Sequence, residues 1–212
     1  MVLSSPLMRA KQHWTGKRRR PQQRRARLTV EAILDAAMKV AKQDGVSAVT
    51  TNRVAELAGV SIGSVYQYFP NKQAIFTGLY QRHVEQIERM VGLKLVEHAA
   101  SPLDVLLRAM VEGMVEAHAI DPELHELLMT QVPHRAKGTR DFAVRLHGAF
   151  RLAIAGRAHE LNARRDLDLT VFIVTQMVDA LSHGAVLRRP PGVTLAAAKE
   201  EAVRALLAYV HA

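Results

Sequence analysis

The segment GVSIGSVYQYFPNKQAIF, residues 59–76, holds two of the chain's four tyrosines, Tyr66 and Tyr68, and sets Lys72 at the expected start of a helix. A phenol joins an apolar ring to a hydroxyl that donates to a phosphate oxygen. A lysine in the first turn of a helix opposes the positive end of the macrodipole, a penalty of about 0.3–1 kcal/mol. An anion reverses that sign, because free helix N–H groups and the ammonium then face the same phosphate. Capture of phosphate oxygens is the chemistry these residues suit. The alternative is plain packing, with both rings on the following helix and Lys72 in water.

Other chemistries find less support. The chain has no cysteine, which excludes disulfides, zinc–thiolate sites and thiol catalysis and is compatible with a reducing compartment. Its ten histidines form no His-x-x-His or His-x-x-x-His pair with nearby carboxylates, so no metal site is expected. Neither a nucleophile–base pair nor a Gly-rich phosphate loop is visible, so neither an enzyme nor a bound cofactor is expected. No unbroken run of about 18 apolar residues occurs, and a membrane-spanning helix is not expected. The N-terminal stretch lacks the apolar centre of a secretory signal, and a cytoplasmic location is the expectation.

The net charge of +9 is unevenly placed. Residues 1–28 carry Arg9, Lys11, Lys17, Arg18, Arg19, Arg20, Arg24, Arg25 and Arg27 and no acid, so the remaining 184 residues sum to 9 − 9 = 0. Such a block is expected to be a flexible, self-repelling tail drawn to polyanions. A merely solubilising tail is the other reading of the charge.

The elements that must position the tyrosines are helical. From Thr29, read as an N-cap, Val30, Ile33, Leu34, Ala37, Val40 and Ala41 recur at helical spacing until Asp44-Gly45. A short helix follows from Thr50-Thr51 to Ala58, burying Val54, Leu57 and Ala58, and Gly59 stops it. Ser61 caps a third helix that must end before Pro70. Two short helices joined by a tight turn and supported by a longer one form a helix-turn-helix. Val65 and Phe69 point inward on the third helix. Ile62, Ser64, Tyr66, Gln67 and Tyr68 are left flanking or facing outward, and Gly63 keeps the first turn slim. The rest reads as helices over 71–98, 102–120, 122–132, 138–162, 168–187 and 194–209, with no period-two strand pattern. The chain is expected to be all-α, with about nine helices.

Residues 29–76, TVEAILDAAMKVAKQDGVSAVTTNRVAELAGVSIGSVYQYFPNKQAIF, resemble the DNA-binding domain of TetR-type transcriptional regulators. AGVS, GS-V-Y, YF and N-K at these spacings carry the resemblance. It implies three parts: a basic tail over 1–28, a three-helix DNA-binding domain over 29–75, and a helical ligand-binding and dimerisation domain over 76–212. It implies that Thr51 and Asn52 touch phosphate and sometimes a base, that Ile62, Gly63 and Ser64 lie nearest the base edges, and that Tyr66, Tyr68 and Lys72 hold the backbone of double-stranded DNA. Ser64 departs from the usual threonine and lacks a methyl for thymine; Ile62 offers no hydrogen bond, so direct readout falls on apolar contact and on Asn52 or Gln67. In this setting the tail either lies in the adjacent minor groove or adds general affinity by counterion release.

The resemblance also implies a homodimer through residues 168–187 and 194–210. The first of these is apolar on most sides, and the second opens on Ala196-Ala197-Ala198, which permits close approach. A two-fold dimer presents its recognition helices about one DNA turn apart, roughly 34–36 Å, to a near-palindrome. Met110, Met114, His118, Phe142, Leu146, Phe150, Phe172, Gln176 and His183 are the candidates to line a small-molecule cavity, with plain core as the alternative for the Met and Phe stripe. Phe172, Gln176, Asp179 and His183 share one face of their helix. Asp179 and His183 form a potential one-turn pair. The function expected is a dimeric repressor released by a small molecule. The alternative is a chromosome-associated DNA-binding protein that acts through a protein partner.

Overall fold

The computed structural model describes the backbone of residues 16–132, 137–163 and 165–212. Among the described residues all regular structure is helical: α1 (Gly16–Asp44), α2 (Thr51–Ala58), α3 (Ile62–Tyr68), α4 (Lys72–Glu97), α5 (Leu103–Ala119), α6 (Pro122–Gln131), α7 (Lys137–Ala155), α8 (Leu167–Leu187) and α9 (Leu195–His211), with two single 3-10 turns at Val46–Ala48 and Ala158–Glu160. The all-α expectation holds. The chain divides into two compact units, Met1–Pro70 and Asn71–Ala212, against a boundary after residue 75 read from the sequence.

In the first unit α1 packs on α2, and α2 on α3. Ile33, Leu34, Ala37, Val40 and Ala41 of α1 are buried, together with Val54, Ala55, Val65 and Phe69. Three readings are corrected. Helix α1 begins at Gly16 rather than Thr29, so residues 16–28 are helix and not a flexible tail; residues 1–15 lie outside the described residues. Thr29 is no cap, since its hydroxyl donates to the Arg25 carbonyl at 3.0 Å, one turn back. Arg, Gln and Ala upstream are good helix formers and carry the helix through. On α2, Ala55 is buried where Leu57 was expected, and Leu57 stays 39% exposed.

In the second unit α5 lies at the centre and contacts α4, α6, α8 and α9. Its Leu106, Leu107, Met110, Val111 and Met114 are fully buried. A Cβ on Gly113 would meet Lys94 Cγ at 3.2 Å, so the missing side chain lets α4 and α5 approach. Helix α8 is apolar on most sides, as the sequence reading had it. By length and composition it is apolar enough to cross a membrane, with a mean hydropathy of 1.4, because scattered polar residues interrupt its sequence without lowering the average. Thr170, Val171, Val174, Thr175, Val178, Ser182 and Ala185 of this helix are buried, and it packs on α5, α7 and α9. Leu169 on this helix is 58% exposed, and Phe172 is 50% exposed.

Helix α7 ends at Ala155, short of the expected 162. Beyond it Arg157 turns inward, and its guanidinium is anchored on carbonyls instead of a carboxylate. Nε donates to Ser101 at 2.6 Å, Nη1 to Ala153 at 2.7 Å, and Nη2 to His98 at 3.0 Å and Ala99 at 2.7 Å. Carbonyls at the C-terminal ends of α4 and α7 carry partial negative charge, which compensates the buried cation. Arg157→Met keeps the volume but takes the guanidinium donors from four carbonyls, of which His98 keeps the Ser101 N–H at 3.1 Å, and is expected to cost about 3 kcal/mol of stability, read from the urea midpoint of unfolding.

Candidate functional site

The exposed face of α3 is built by two caps and a left-handed glycine. The Thr50 hydroxyl accepts from Arg53 N–H at 3.2 Å and starts α2. Gly59 closes it at φ 65°, a conformation in which a side chain is strained. The Ser61 hydroxyl accepts from Ser64 N–H at 3.1 Å and starts α3. Val65 and Phe69 fix the inner side. Outside them Ile62, Gly63, Tyr66 and Gln67 are exposed, with Ser64 and Tyr68 half-buried. Tyr66 is 52% exposed, which argues against packing into the interior. A Cβ on Gly63 would meet only Ser61 Oγ, at 3.8 Å. Packing does not require glycine there.

Two side-chain pairs organise this face. The hydroxyls of Thr51 and Tyr66 share a hydrogen bond at 3.2 Å, joining the first turn of α2 to α3. The Ser61 and Ser64 hydroxyls share another at 2.8 Å, so Ser64 is held to its own cap. Asn52 is exposed beside Thr51. The first unit thus brings together Thr51, Asn52, Ile62, Gly63, Ser64, Tyr66, Gln67 and Tyr68. Lys72 belongs to the second unit, where Asn71 caps α4 by accepting from Ala74 N–H at 2.9 Å. The Lys72 ammonium lies 5.7 Å from the centre of the Phe76 ring.

The second unit contains a cavity of about 840 Å³, within the range of small-molecule sites. Six of the nine cavity candidates line it: His118, Phe142, Leu146, Phe172, Gln176 and His183. Met110, Met114 and Phe150 do not; each is fully buried in the core. Tyr80, His83, His125 and Asp179 also line the cavity.

Four imidazoles from four helices meet in its wall: His83 of α4, His118 of α5, His125 of α6 and His183 of α8. The ring centres of His118, His125 and His183 lie 4.2, 4.4 and 4.7 Å apart. His83 Nε2 and His125 Nδ1 share a hydrogen bond at 2.7 Å. His183 Nδ1–H donates to the Asp179 carbonyl at 2.7 Å, with the Asp179 carboxylate 3.4 Å away. The one-turn relation read from the sequence is present, made through the main chain. His118 Nδ1 and His125 Nε2 are buried with no hydrogen-bond partner among the described residues.

Burial dominates their titration. It pushes His83 down to about 4 against the pull of Asp121. It pushes His125 to about 3, and lowers His118 as well, with neighbouring imidazoles acting in the same direction. These three rings are neutral at pH 7. Each buried polar atom left without a partner costs about 1–3 kcal/mol, an expense more typical of a site than of a core. The sequence signal for this cluster was faint. His118 and His125 are seven residues apart across the break at Asp121-Pro122, and only the fold brings His83 and His183 to them.

A helix-turn-helix unit joined to a helical unit with a polar-walled cavity defines a class of DNA-binding transcriptional regulator. The description "Bacterial regulatory proteins, tetR family" matches residues 33–79, and "Tetracyclin repressor-like, C-terminal domain" matches residues 102–209. The chain belongs to the TetR family. It is 27% identical over 119 residues to the transcriptional regulator AcrR of Shigella flexneri, covering 56% of this chain and 54% of that one. It is 39% identical over 56 residues to the transcriptional repressor KstR of Mycolicibacterium smegmatis, covering 26% of this chain and 28% of that one. The chain thus spans about half and about a quarter of these curated relatives. The Bacillus subtilis regulator FadR, solved in complex with stearoyl-CoA, shares the fold at a TM-score of 0.64 and 21% identity, over 85% of this chain and 99% of that chain.

The cavity wall yields an expectation independent of any ligand. His118→Phe replaces a desolvated imidazole with a hydrocarbon ring of similar size. In buffer containing a chelator it is expected to raise the melting temperature by about 2–4 °C, followed by circular dichroism, because the unpartnered Nδ1 is gone.

Proposed function

We propose that this protein is a ligand-responsive repressor that binds a near-palindromic operator as a homodimer in the cytoplasm. A small molecule in the second unit would favour a conformation with lower affinity for DNA. The observation that carries the DNA side is the slim exposed face of α3, where Gly63 leaves space that packing does not need. Tyr66 and Tyr68 then position the duplex through phosphate oxygens, with Thr51 beside them and Lys72 at the start of α4. Ile62, Gly63 and Ser64 face base edges, and Asn52 and Gln67 supply the hydrogen-bonding readout. The outer faces of α8 and α9 are the proposed dimer surface, supported by exposed Leu169.

The cavity supports an effector over the alternative of a ligand-free chromosome-associated protein. Its lining joins apolar groups such as Phe142 and Leu146 to imidazoles, Gln176 and Asp179, which suits a mainly apolar molecule with a polar end. The related Bacillus subtilis regulator was solved with stearoyl-CoA. The effector acts only through a difference in affinity between two conformations. The reading assigns no catalytic step.

Two measurements address the DNA face. Gly63→Ala is expected to leave the melting temperature unchanged or slightly raised, since alanine favours helix by about 0.5–1 kcal/mol. It should nevertheless weaken operator binding at least about tenfold in an anisotropy titration, because the added methyl stands between backbone and DNA. Replacing Arg24, Arg25 and Arg27, all exposed on α1, with glutamine tests the basic segment. If all three meet phosphates in both protomers of the dimer, the slope of log K against log salt falls in magnitude by about 5.4; if none does, the slope is unchanged.

A further inference from the structure

We propose that His118, His125 and His183 form a binding site for a borderline transition-metal ion, Zn²⁺ being the reference probe, in the wall of the second unit's cavity. One ligand atom from each residue lies within 4.8 Å of the others. Nitrogens bound to zinc at about 2.0–2.1 Å in a tetrahedral site stand about 3.3 Å apart, so small ring rotations close the set around one ion. The three residues come from α5, α6 and α8, and the helices hold them without any loop.

The hydrogen bonds leave the right atoms available. His183 directs Nδ1–H at the Asp179 carbonyl, which leaves Nε2 as its ligand atom. His125 spends Nδ1 on His83, and its Nε2 is buried without a partner among the described residues. His118 Nδ1 is likewise unpartnered. Outer contacts of this kind, ring N–H to a carbonyl or to a second imidazole, orient histidine ligands in metal sites. His83 is therefore a positioning residue for His125, and Asp179 one for His183.

The ligand set also selects the ion. Imidazole nitrogens suit zinc, copper, nickel and cobalt, whereas magnesium and calcium require oxygens. All three histidines line the cavity, so a fourth ligand can reach the ion from that side, the open arrangement of a three-histidine site. The inference goes beyond the effector reading and does not need it, because metal retention is measured without DNA.

The test uses the untagged full chain, stripped with a chelator, returned to buffer with Zn²⁺ and passed through a desalting column before elemental analysis. One zinc per chain is expected, at a dissociation constant below about 1 µM, with no displacement by millimolar Mg²⁺. His118→Phe and His183→Gln should each weaken binding at least about 100-fold, while His159→Gln, on a side chain 78% exposed, leaves it unchanged. Substitution with Co²⁺ in the unmutated chain should give the intense visible bands of a four-coordinate site. Less than about 0.2 zinc per chain, a pale six-coordinate cobalt spectrum, or equal zinc retention in the His118 and His183 variants overturns the proposal.

Discussion

A seven-residue helix has no stability of its own, and the face proposed to meet DNA depends on how α3 is held. Val65 and Phe69 anchor it in the small core beneath α1 and α2, and Ser61 fixes its first turn. Once those contacts are made, the opposite side has no choice but to face outward. Tyr66 is then placed where its hydroxyl meets Thr51 of α2, so two short helices present their polar atoms as one surface. The outward display of Ile62, Gly63 and Gln67 follows from what α3 buries.

The second unit obeys a different constraint. Its core around α5 is almost wholly apolar, yet four imidazoles line one cavity wall and two of their nitrogens are unpartnered among the described residues. A chain optimised for stability alone would fill those positions with hydrocarbon. Orienting the rings through Asp179 and His83 places ring nitrogens beside a space large enough for a small molecule. Arg157 shows the opposite solution within the same unit, a buried charge with every donor contact matched to a carbonyl.

Much of this was legible in the sequence, and where it was not the reasons are physical. The helix-turn-helix was readable because its signals are local: the Ser61 cap, the Gly59 stop, and Val65 and Phe69 one turn apart. The start of α1 was misread because Thr29 resembles an N-cap, whereas Gln22 to Arg27 before it favour helix as well and Thr29 bonds back one turn. Met110, Met114 and Phe150 share their spacing with cavity residues, and periodicity cannot separate a core-facing stripe from a cavity-facing one. The histidine cluster was illegible because its members lie on four helices, and no spacing rule reports a contact made by tertiary packing.

The central claim is that the exposed side of α3 reads DNA sequence in a two-fold assembly. The most direct measurement is selection of duplexes from a random-sequence pool by the untagged full chain, followed by sequencing of the bound fraction. The account predicts enrichment of one near-palindromic motif whose half-sites are centred about 10–10.5 base pairs apart or a multiple of that. Recovery of duplexes with no common motif, bound with the affinity of the starting pool, would contradict it.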